Sequence, residues 1–291
     1  MSKFAGKTAI ISGGAEGIGF AIAEALGGQG MNIVLADIDT DGLARAVTTL
    51  NERDVPVIGA ELDVGDASAW QAVAEQASRE FAAVHMVVNN AGVTGDAGPI
   101  EQQSSEGWMW GLNVNLMGVV YGVQTVVPYI KEQGQGGWIL NVASMAGMGG
   151  VRYGGVYAAS KTAVVALSEG WFQEFKADGI AVSVLCPGFV QTRIFDSDRN
   201  RQARFQSDAA PSASAAKHRA EGAAMVKNGI DPAVVGRRVI EALNSGELYV
   251  FTHPGYRDAV RERAMRIDEA FARAEQSPVL ADLVNQSHDM L

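Results

Sequence analysis

Residues 8–37 read TAIISGGAEGIGFAIAEALGGQGMNIVLAD, and this stretch decides the architecture. A β-rich apolar run, Thr8 to Ser12, leads into the turn Ser12-Gly13-Gly14-Ala15-Glu16-Gly17-Ile18-Gly19, then a helical run, then a second apolar run that closes at Asp37. Glycines at 13, 17 and 19 allow a tight turn, a close approach of backbone to a pyrophosphate, and close packing of helix on strand. The N-terminus of the helix then faces the anion. A lone glycine-rich turn is a weak signal. Here it stands between a strand and a helix, with an acidic residue about twenty positions further on, which is the context a dinucleotide-binding unit requires.

The same rhythm continues outward. Candidate strands run from Thr8 to Ser12, Asn32 to Ala36, Val55 to Leu62, Val84 to Asn89, Trp138 to Val142, Ala181 to Cys186 and Leu248 to Thr252, with longer helical patterns between them. Several of these runs (TAIIS, NIVLA, HMVVN, VSVLC) are almost unbroken in apolar residues, as parallel strands covered on both faces are. The pattern predicts an α/β fold: a single-domain, Rossmann-like, doubly wound parallel sheet of seven strands with helices on both faces. Residues 1–190 form the core of that one domain, which spans 1–291. Residues 191–229 break the rhythm with a polar, Ala/Ser-rich stretch too long for a plain loop, and read as a substrate lid, with a solvated connector as the plainer alternative. Residues 230–291 hold a helix, the last strand and a tail. From about Tyr256 the pattern is a charged amphipathic helix with a loose end, suited to packing or subunit contact.

Composition narrows the function. The chain has 291 residues, 47% of them hydrophobic, enough to bury a substantial core. Thirty-three acidic against twenty-three basic residues give a net charge of -10, the wrong sign for a non-specific phosphate-backbone binder, so no nucleic-acid partner is expected. The single Cys186 excludes an internal disulfide framework and a cysteine zinc site, and His85, His218, His253 and His288 are too scattered for a metal site. The N-terminus, MSKFAGKTAIISGG, lacks a signal-peptide core, and no apolar run reaches the roughly eighteen residues that span a bilayer. A cytoplasmic protein without a membrane partner is expected.

An acidic residue closing the second strand can accept hydrogen bonds from both adenosine ribose hydroxyls and would repel a 2′-phosphate, so Asp37 favours NAD over NADP. Glu16 in the turn points the same way. The plainer reading of Asp37 is a cap for the helix that begins after Asp39. The spacing Gly-x-x-x-Gly-x-Gly resembles the short-chain dehydrogenase/reductase family, and further motifs follow in order: Asn89-Asn90-Ala91-Gly92, Asn115 in Val114-Asn115-Leu116-Met117-Gly118, Ser144 after the fifth strand, Tyr157 with Lys161, and Pro187-Gly188 with Thr192 beyond. The likeness runs continuously from about residue 4 to 192. Ser12 stands where threonine is commoner, which keeps the hydroxyl.

Tyr157 and Lys161 are four apart, so on a helix they share a face. A free phenol has a pKa of about 10, too high for a base at neutral pH, and a neighbouring cation stabilises the phenolate. Lowering it by about three units needs roughly 4 kcal/mol, which Lys161 and a positive nicotinamide would share. The resemblance implies that Tyr157 takes or gives the alcohol proton, Ser144 holds the substrate oxygen, Lys161 also holds the nicotinamide ribose, and Asn115 organises a water relay to Lys161. It further implies that Ser12, Gly13, Glu16, Gly17, Ile18, Gly19, Asp37, Ile38, Asp63, Val64, Asn90, Ala91, Gly92, Tyr157, Lys161, Pro187, Gly188, Val190 and Thr192 line the cofactor. Taken singly, Ser144 could merely cap a turn, Asn115 back-bond within its helix and Lys161 be a solvated charge.

The stretch Met145 to Val156, MAGMGGVRYGGV, lies between Ser144 and Tyr157 and should wall the substrate pocket with Met145, Met148 and Tyr153. Arg152 is its only charge, which favours an apolar or aromatic substrate over a phosphorylated sugar. Arg193, Arg199, Arg201 and Arg204 in the lid would meet an anionic substrate or, more plainly, solvent. Trp108, Trp110 and Trp171 read as core or subunit contacts. Glu247 to Pro254, with Tyr256-Arg257 and the long lid, is similar to a branch of the family that includes bacterial dehydrogenases of lignin-derived aryl ether alcohols. The expected function is NAD-dependent hydride transfer with a secondary alcohol or ketone. An NAD(P)H-dependent carbonyl reductase is the alternative, and a non-catalytic nucleotide sensor would have lost part of a catalytic set that is whole here. The family resemblance implies a homo-tetramer or homo-dimer.

Overall fold

The computed structural model describes residues 2–207, 212–281 and 283; the other residues of the expected lid and tail lie outside the described part. The chain divides into two compact units, one reaching to Thr252 and one starting at His253. The first contains all seven strands: β1 (Thr8–Ser12), β2 (Asn32–Asp37), β3 (Val57–Glu61), β4 (Met86–Asn89), β5 (Gly137–Val142), β6 (Ile180–Cys186) and β7 (Tyr249–Phe251). They pair in parallel in the order β3-β2-β1-β4-β5-β6-β7. Pro56 explains why β3 begins later than the apolar run: it has no N–H for the ladder, and pairing starts at Val57.

Helices α1 (Gly17–Gly27), α2 (Thr40–Asn51), α3 (Ala67–Phe81), α4 (Ser105–Leu112), α5 (Gly118–Glu132), α6 (Gly155–Glu174), α7 (Ala213–Lys227) and α8 (Pro232–Ser245) belong to the same unit. Successive strand residues point to opposite faces, so Ile11 joins a core with Ile22, Leu26, Leu50 and Val239 from α1, α2 and α8. Ile10 joins the other, with Trp70, Val73, Val126 and Ile130 from α3 and α5. The order reverses between β1 and β4, where chains leaving neighbouring strands part and open a crevice at the carboxyl ends. Within the second unit, α9 (Arg257–Glu275) has no buried residue.

The lid region is more structured than its composition suggested. It contains short helical turns at Ile194–Asn200 and Ala203–Phe205 and the helix α7, whose only buried residues are Gly222 and Val226. Its arginines pair with carboxylates. Arg193 and Arg199 pair with Glu16, Arg201 with Asp96 at 3.0 Å, Arg204 with Asp63 at 2.8 Å, and Arg219 with Asp198.

Candidate active site

The crevice is organised by Ser12, the last residue of β1. Its hydroxyl donates to Val88 O (3.3 Å) and accepts from the backbone N–H groups of Asn90 (3.0 Å) and Ala91 (3.2 Å), tying β1 to the chain leaving β4. Asn90 returns the link: its amide nitrogen donates to Ser12 O and Gly13 O, each at 2.9 Å. Gly13 sits at φ +63°, and a Cβ there would come within 2.8 Å of Ala91 Cα, so the turn needs glycine on both counts. A Cβ on Gly19 would run into the Gly13 carbonyl. No side chain caps α1, whose first-turn N–H groups open into the crevice beside this bare backbone. That cradle fits a pyrophosphate.

Asp37 ends β2 beside it. Its Oδ2 accepts from Ala15 N and its Oδ1 from Asp39 N, both at 3.0 Å. Burial pushes its carboxyl pKa up, against the two backbone N–H groups that hold it down. The helix cap that was the plainer alternative for Asp37 is made by Asp39, which accepts from Gly42 N at 2.9 Å. Each Asp37 oxygen keeps a second lone pair, enough for a ribose diol. Glu16 turns toward Arg193 and Arg199 of the lid, so its charge is offset and its expected contribution against a 2′-phosphate is weakened. Ile18 packs into the core. Ile38 follows Asp37 at the strand end, half-buried; Asp63 holds both Gly65 N (3.0 Å) and Arg204, and Val64 is buried with its carbonyl on Trp70 Nε1 (3.1 Å). Across the crevice, Pro187 O accepts from Met145 N (2.9 Å), Gly188 follows, Val190 bridges to Ile230, and a Cβ on Gly17 would meet the Thr192 methyl at 3.0 Å.

The catalytic candidates converge from three elements. Ser144 follows β5; its hydroxyl accepts from Ala146 N at 3.1 Å, capping the next turn, and lies near enough to the Tyr157 phenol to influence its pKa. The first turns of α6 carry Tyr157 and Lys161. Lys161 is buried rather than solvated: its Nζ donates to Val142 O at 2.8 Å and lies 5.9 Å from the Tyr157 ring centre. Desolvation lowers the Lys161 pKa to about 8. Burial also pushes the Tyr157 phenol up, opposed by the nearby Ser144 hydroxyl. In the protein alone, burial sets the direction for both groups, raising the phenol and lowering the ammonium.

Asn115 lies in a wide turn, Asn113–Met117, between α4 and α5. Wide turns of this kind collect at functional sites because they rotate a side chain out of the regular helical ladder. Asn115 does not back-bond within its helix. Its Oδ1 accepts from Val93 N (2.8 Å), and its Nδ2 donates to Val93 O (2.9 Å) and Ser160 Oγ (3.1 Å). A Cβ on Gly92 would lie 3.4 Å from both Asn115 Oδ1 and Lys161 Nζ, so the chain leaving β4 passes close to both side chains. Sequence reasoning missed Ser160, whose hydroxyl donates to Tyr157 O at 2.9 Å; the signal was a small polar residue beside Lys161 on an inward helical face. It also missed the buried chain from Asn89 Nδ2 to Asn141 Oδ1 and from Asn141 Nδ2 to Ser168 Oγ, each link 2.9 Å, beneath the site. Met145 and Met148 are half-buried between Ser144 and Tyr157, while Tyr153 turns toward His218 of α7. Trp110 is buried beneath the Arg201 guanidinium, 4.9 Å from its ring centre.

Over residues 7–203 the chain matches the short chain dehydrogenase family model. The chain belongs to the short-chain dehydrogenase family. Among relatives, a CLA biosynthesis dehydrogenase/reductase of Lactiplantibacillus plantarum is 30% identical over 272 residues, covering 92% of this chain and 95% of that one. A C alpha-dehydrogenase of Sphingobium sp. strain SYK-6 is 29% identical over 282 residues, covering 96% and 90%. Among solved structures, a short chain dehydrogenase/reductase from Burkholderia phymatum in complex with NAD superposes with a TM-score of 0.90 at 37% identity, covering 93% of this chain and 97% of that one. As a short-chain dehydrogenase the protein is an oxidoreductase acting on alcohol groups. Among the described residues no helix is long and apolar enough to cross a membrane, and no cluster of His, Cys, Asp or Glu is placed to hold a metal ion.

Proposed function

We propose that this short-chain dehydrogenase prefers NAD and interconverts a secondary alcohol and its ketone on a substrate with an apolar or aromatic body. The observation that carries the reading is the convergence of Ser144, Tyr157 and Lys161 beside the uncapped end of α1, with the Asp37 carboxylate at the far end of the same crevice. When bound, the nicotinamide supplies the hydride acceptor or donor. Tyr157 takes the alcohol proton during oxidation and returns it during reduction. The Ser144 hydroxyl, near the phenol, positions the substrate oxygen beside it. Lys161 adds a buried positive charge near the phenol and stands within reach of a ribose hydroxyl. Asn115 and Ser160 act one step back, fixing Val93 and the Tyr157 backbone so that the two halves of the site stay in register. Asp37 receives the adenosine ribose, and its charge disfavours a 2′-phosphate. Met145 and Met148 offer the soft wall for the substrate body. Assembly into a homo-dimer or homo-tetramer accompanies this reading.

The test follows reduced-nicotinamide absorbance while purified protein meets aryl, alicyclic and steroid secondary alcohols with NAD and then with NADP. NAD-dependent turnover supports both the class and the cofactor preference. Absence of NAD binding on titration would overturn the reading at its first motif.

A further inference from the structure

Tyr153 has an unusual backbone. It adopts φ +64°, a left-handed conformation that is strained for a residue with a side chain, although Gly154 and Gly155 follow it directly. Strain of this kind persists only where surroundings fix it, and such residues gather at ligand sites. Here the Tyr153 carbonyl accepts from Gly98 N at 2.9 Å, while the ring is flanked from two other directions. The Arg152 guanidinium lies 4.6 Å from the ring centre and donates to the phenol oxygen at 2.7 Å. The imidazole of His218, from α7, meets the ring edge-on at 6.1 Å between centres. Tyr153 is thus clamped by three segments: the loop after β4, its own loop between Ser144 and Tyr157, and the lid helix.

The chemistry of this cluster is that of a donor set. The Tyr153 oxygen accepts from Arg152, which leaves the phenolic hydrogen free to donate outward. Arg152 uses one of its five N–H donors on that bond, and an imidazole offers an N–H in either protonation state. The five lid arginines named above are all taken up by carboxylates. Among the described residues, by contrast, Arg152 faces no carboxylate, and it is exposed. In a chain of net charge -10, a single uncompensated cation held in place beside the substrate loop acts against the overall field.

We propose that Arg152, Tyr153 and His218 form a recognition site for a carboxylate carried by the substrate, distal to the reacting carbinol. This rests on the alcohol-dehydrogenase reading and refines it: the substrate is an apolar or aromatic secondary alcohol with a carboxylate at the end facing solvent. The planar guanidinium and the phenolic O–H present donors to the two carboxylate oxygens, and His218 brings the lid helix onto the same group. Closure of the substrate site and recognition of its charge are then one event.

The test titrates the enzyme saturated with NAD by calorimetry with hydroxyethyl-benzoate and with its methyl ester, and repeats the pair with a mid-chain hydroxystearate. The acids are expected to bind roughly tenfold tighter than the esters, the scale of one charge-assisted hydrogen-bond set. In Arg152→Gln the acid-to-ester ratio should fall to about one. Tyr153→Phe, which keeps ring and backbone, should lose part of it. Arg45→Gln removes an exposed charge on α2 and should leave the ratio intact, separating local recognition from net charge. A ratio near one in the wild type, or one unchanged in Arg152→Gln, overturns the proposal. Turnover and NAD binding assayed on the same samples distinguish the two failures: esters and acids oxidised without preference overturn the carboxylate site and leave the dehydrogenase reading standing, whereas absence of NAD binding overturns the dehydrogenase reading itself.

Discussion

Replacing Asn115 by leucine keeps the side-chain volume and removes both polar ends from a residue with no exposed surface. Three hydrogen bonds go: to Val93 N, Val93 O and Ser160 Oγ. Ser160 tolerates the change, because its own donor still reaches Tyr157 O at 2.9 Å. Val93 does not, since it is 7% exposed and its N–H and carbonyl lose the one side chain that satisfied them both. Each buried backbone group left unpaired costs about 1–3 kcal/mol, so the variant should lose about 4 kcal/mol. At about 2–4 °C per kcal/mol for a domain of this size, Tm should drop by about 10 °C in scanning calorimetry. NAD affinity should fall as well, because Asn115 holds Val93, which directly follows the Asn90–Gly92 stretch expected to line the cofactor. A Tm within about 2 °C of wild type would refute this reasoning, since it would mean Val93 finds other partners and Asn115 does not hold the two halves together.

Lys161→Met should abolish turnover without lowering stability at neutral pH. The folded protein releases the Lys161 proton near pH 8 rather than 10.5, so between those values the unfolded chain holds more protons and stability rises with pH; below about pH 8 the penalty of the buried charge is fully present. Urea unfolding of the wild type relative to Lys161→Met should therefore show a gain on going from pH 7 to 10, and a flat difference would contradict the assignment. Asp37→Asn keeps an acceptor for one backbone N–H but removes the charge; initial rates should show the NAD-to-NADP ratio of kcat/KM falling at least about tenfold. Arg193→Ala and Arg199→Ala combined with Arg204→Ala release the lid from Glu16 and Asp63. Such exposed pairs add little to stability, so Tm should hardly move, while chymotrypsin cleavage at Phe205 accelerates, as it should for wild type in high salt.

The central strands were legible because a parallel strand buried on both faces is a short, almost unbroken apolar run; β3 and β7, less buried, were legible from the alternation of strands with helices. The trimmed ends have local causes, as Pro56 does at β3. The glycine turn and the Ser144, Tyr157 and Lys161 set were legible because each depends on spacing within one element. Pairing across the fold was not. Nothing near Arg204 in the chain announces Asp63, and nothing near Arg199 announces Glu16, since those contacts exist only once the lid crosses the crevice. Helix α7 hid because it buries two residues and so carries no apolar stripe. The wide turn at Asn115 has no sequence signature; it is set by the bonds to Val93. The direction of the Lys161 and Tyr157 pKa shifts also depends on burial that spacing cannot reveal.

The most direct test of the central claim is Tyr157→Phe, which removes one hydroxyl and keeps the ring against α6. Turnover and NAD affinity are measured on the same sample, by reduced-nicotinamide absorbance and by calorimetry. The account predicts turnover lost by at least about a thousandfold, within the range assigned to a positioned acid–base group, with NAD affinity within about threefold of wild type. Retained turnover in that variant would contradict the account.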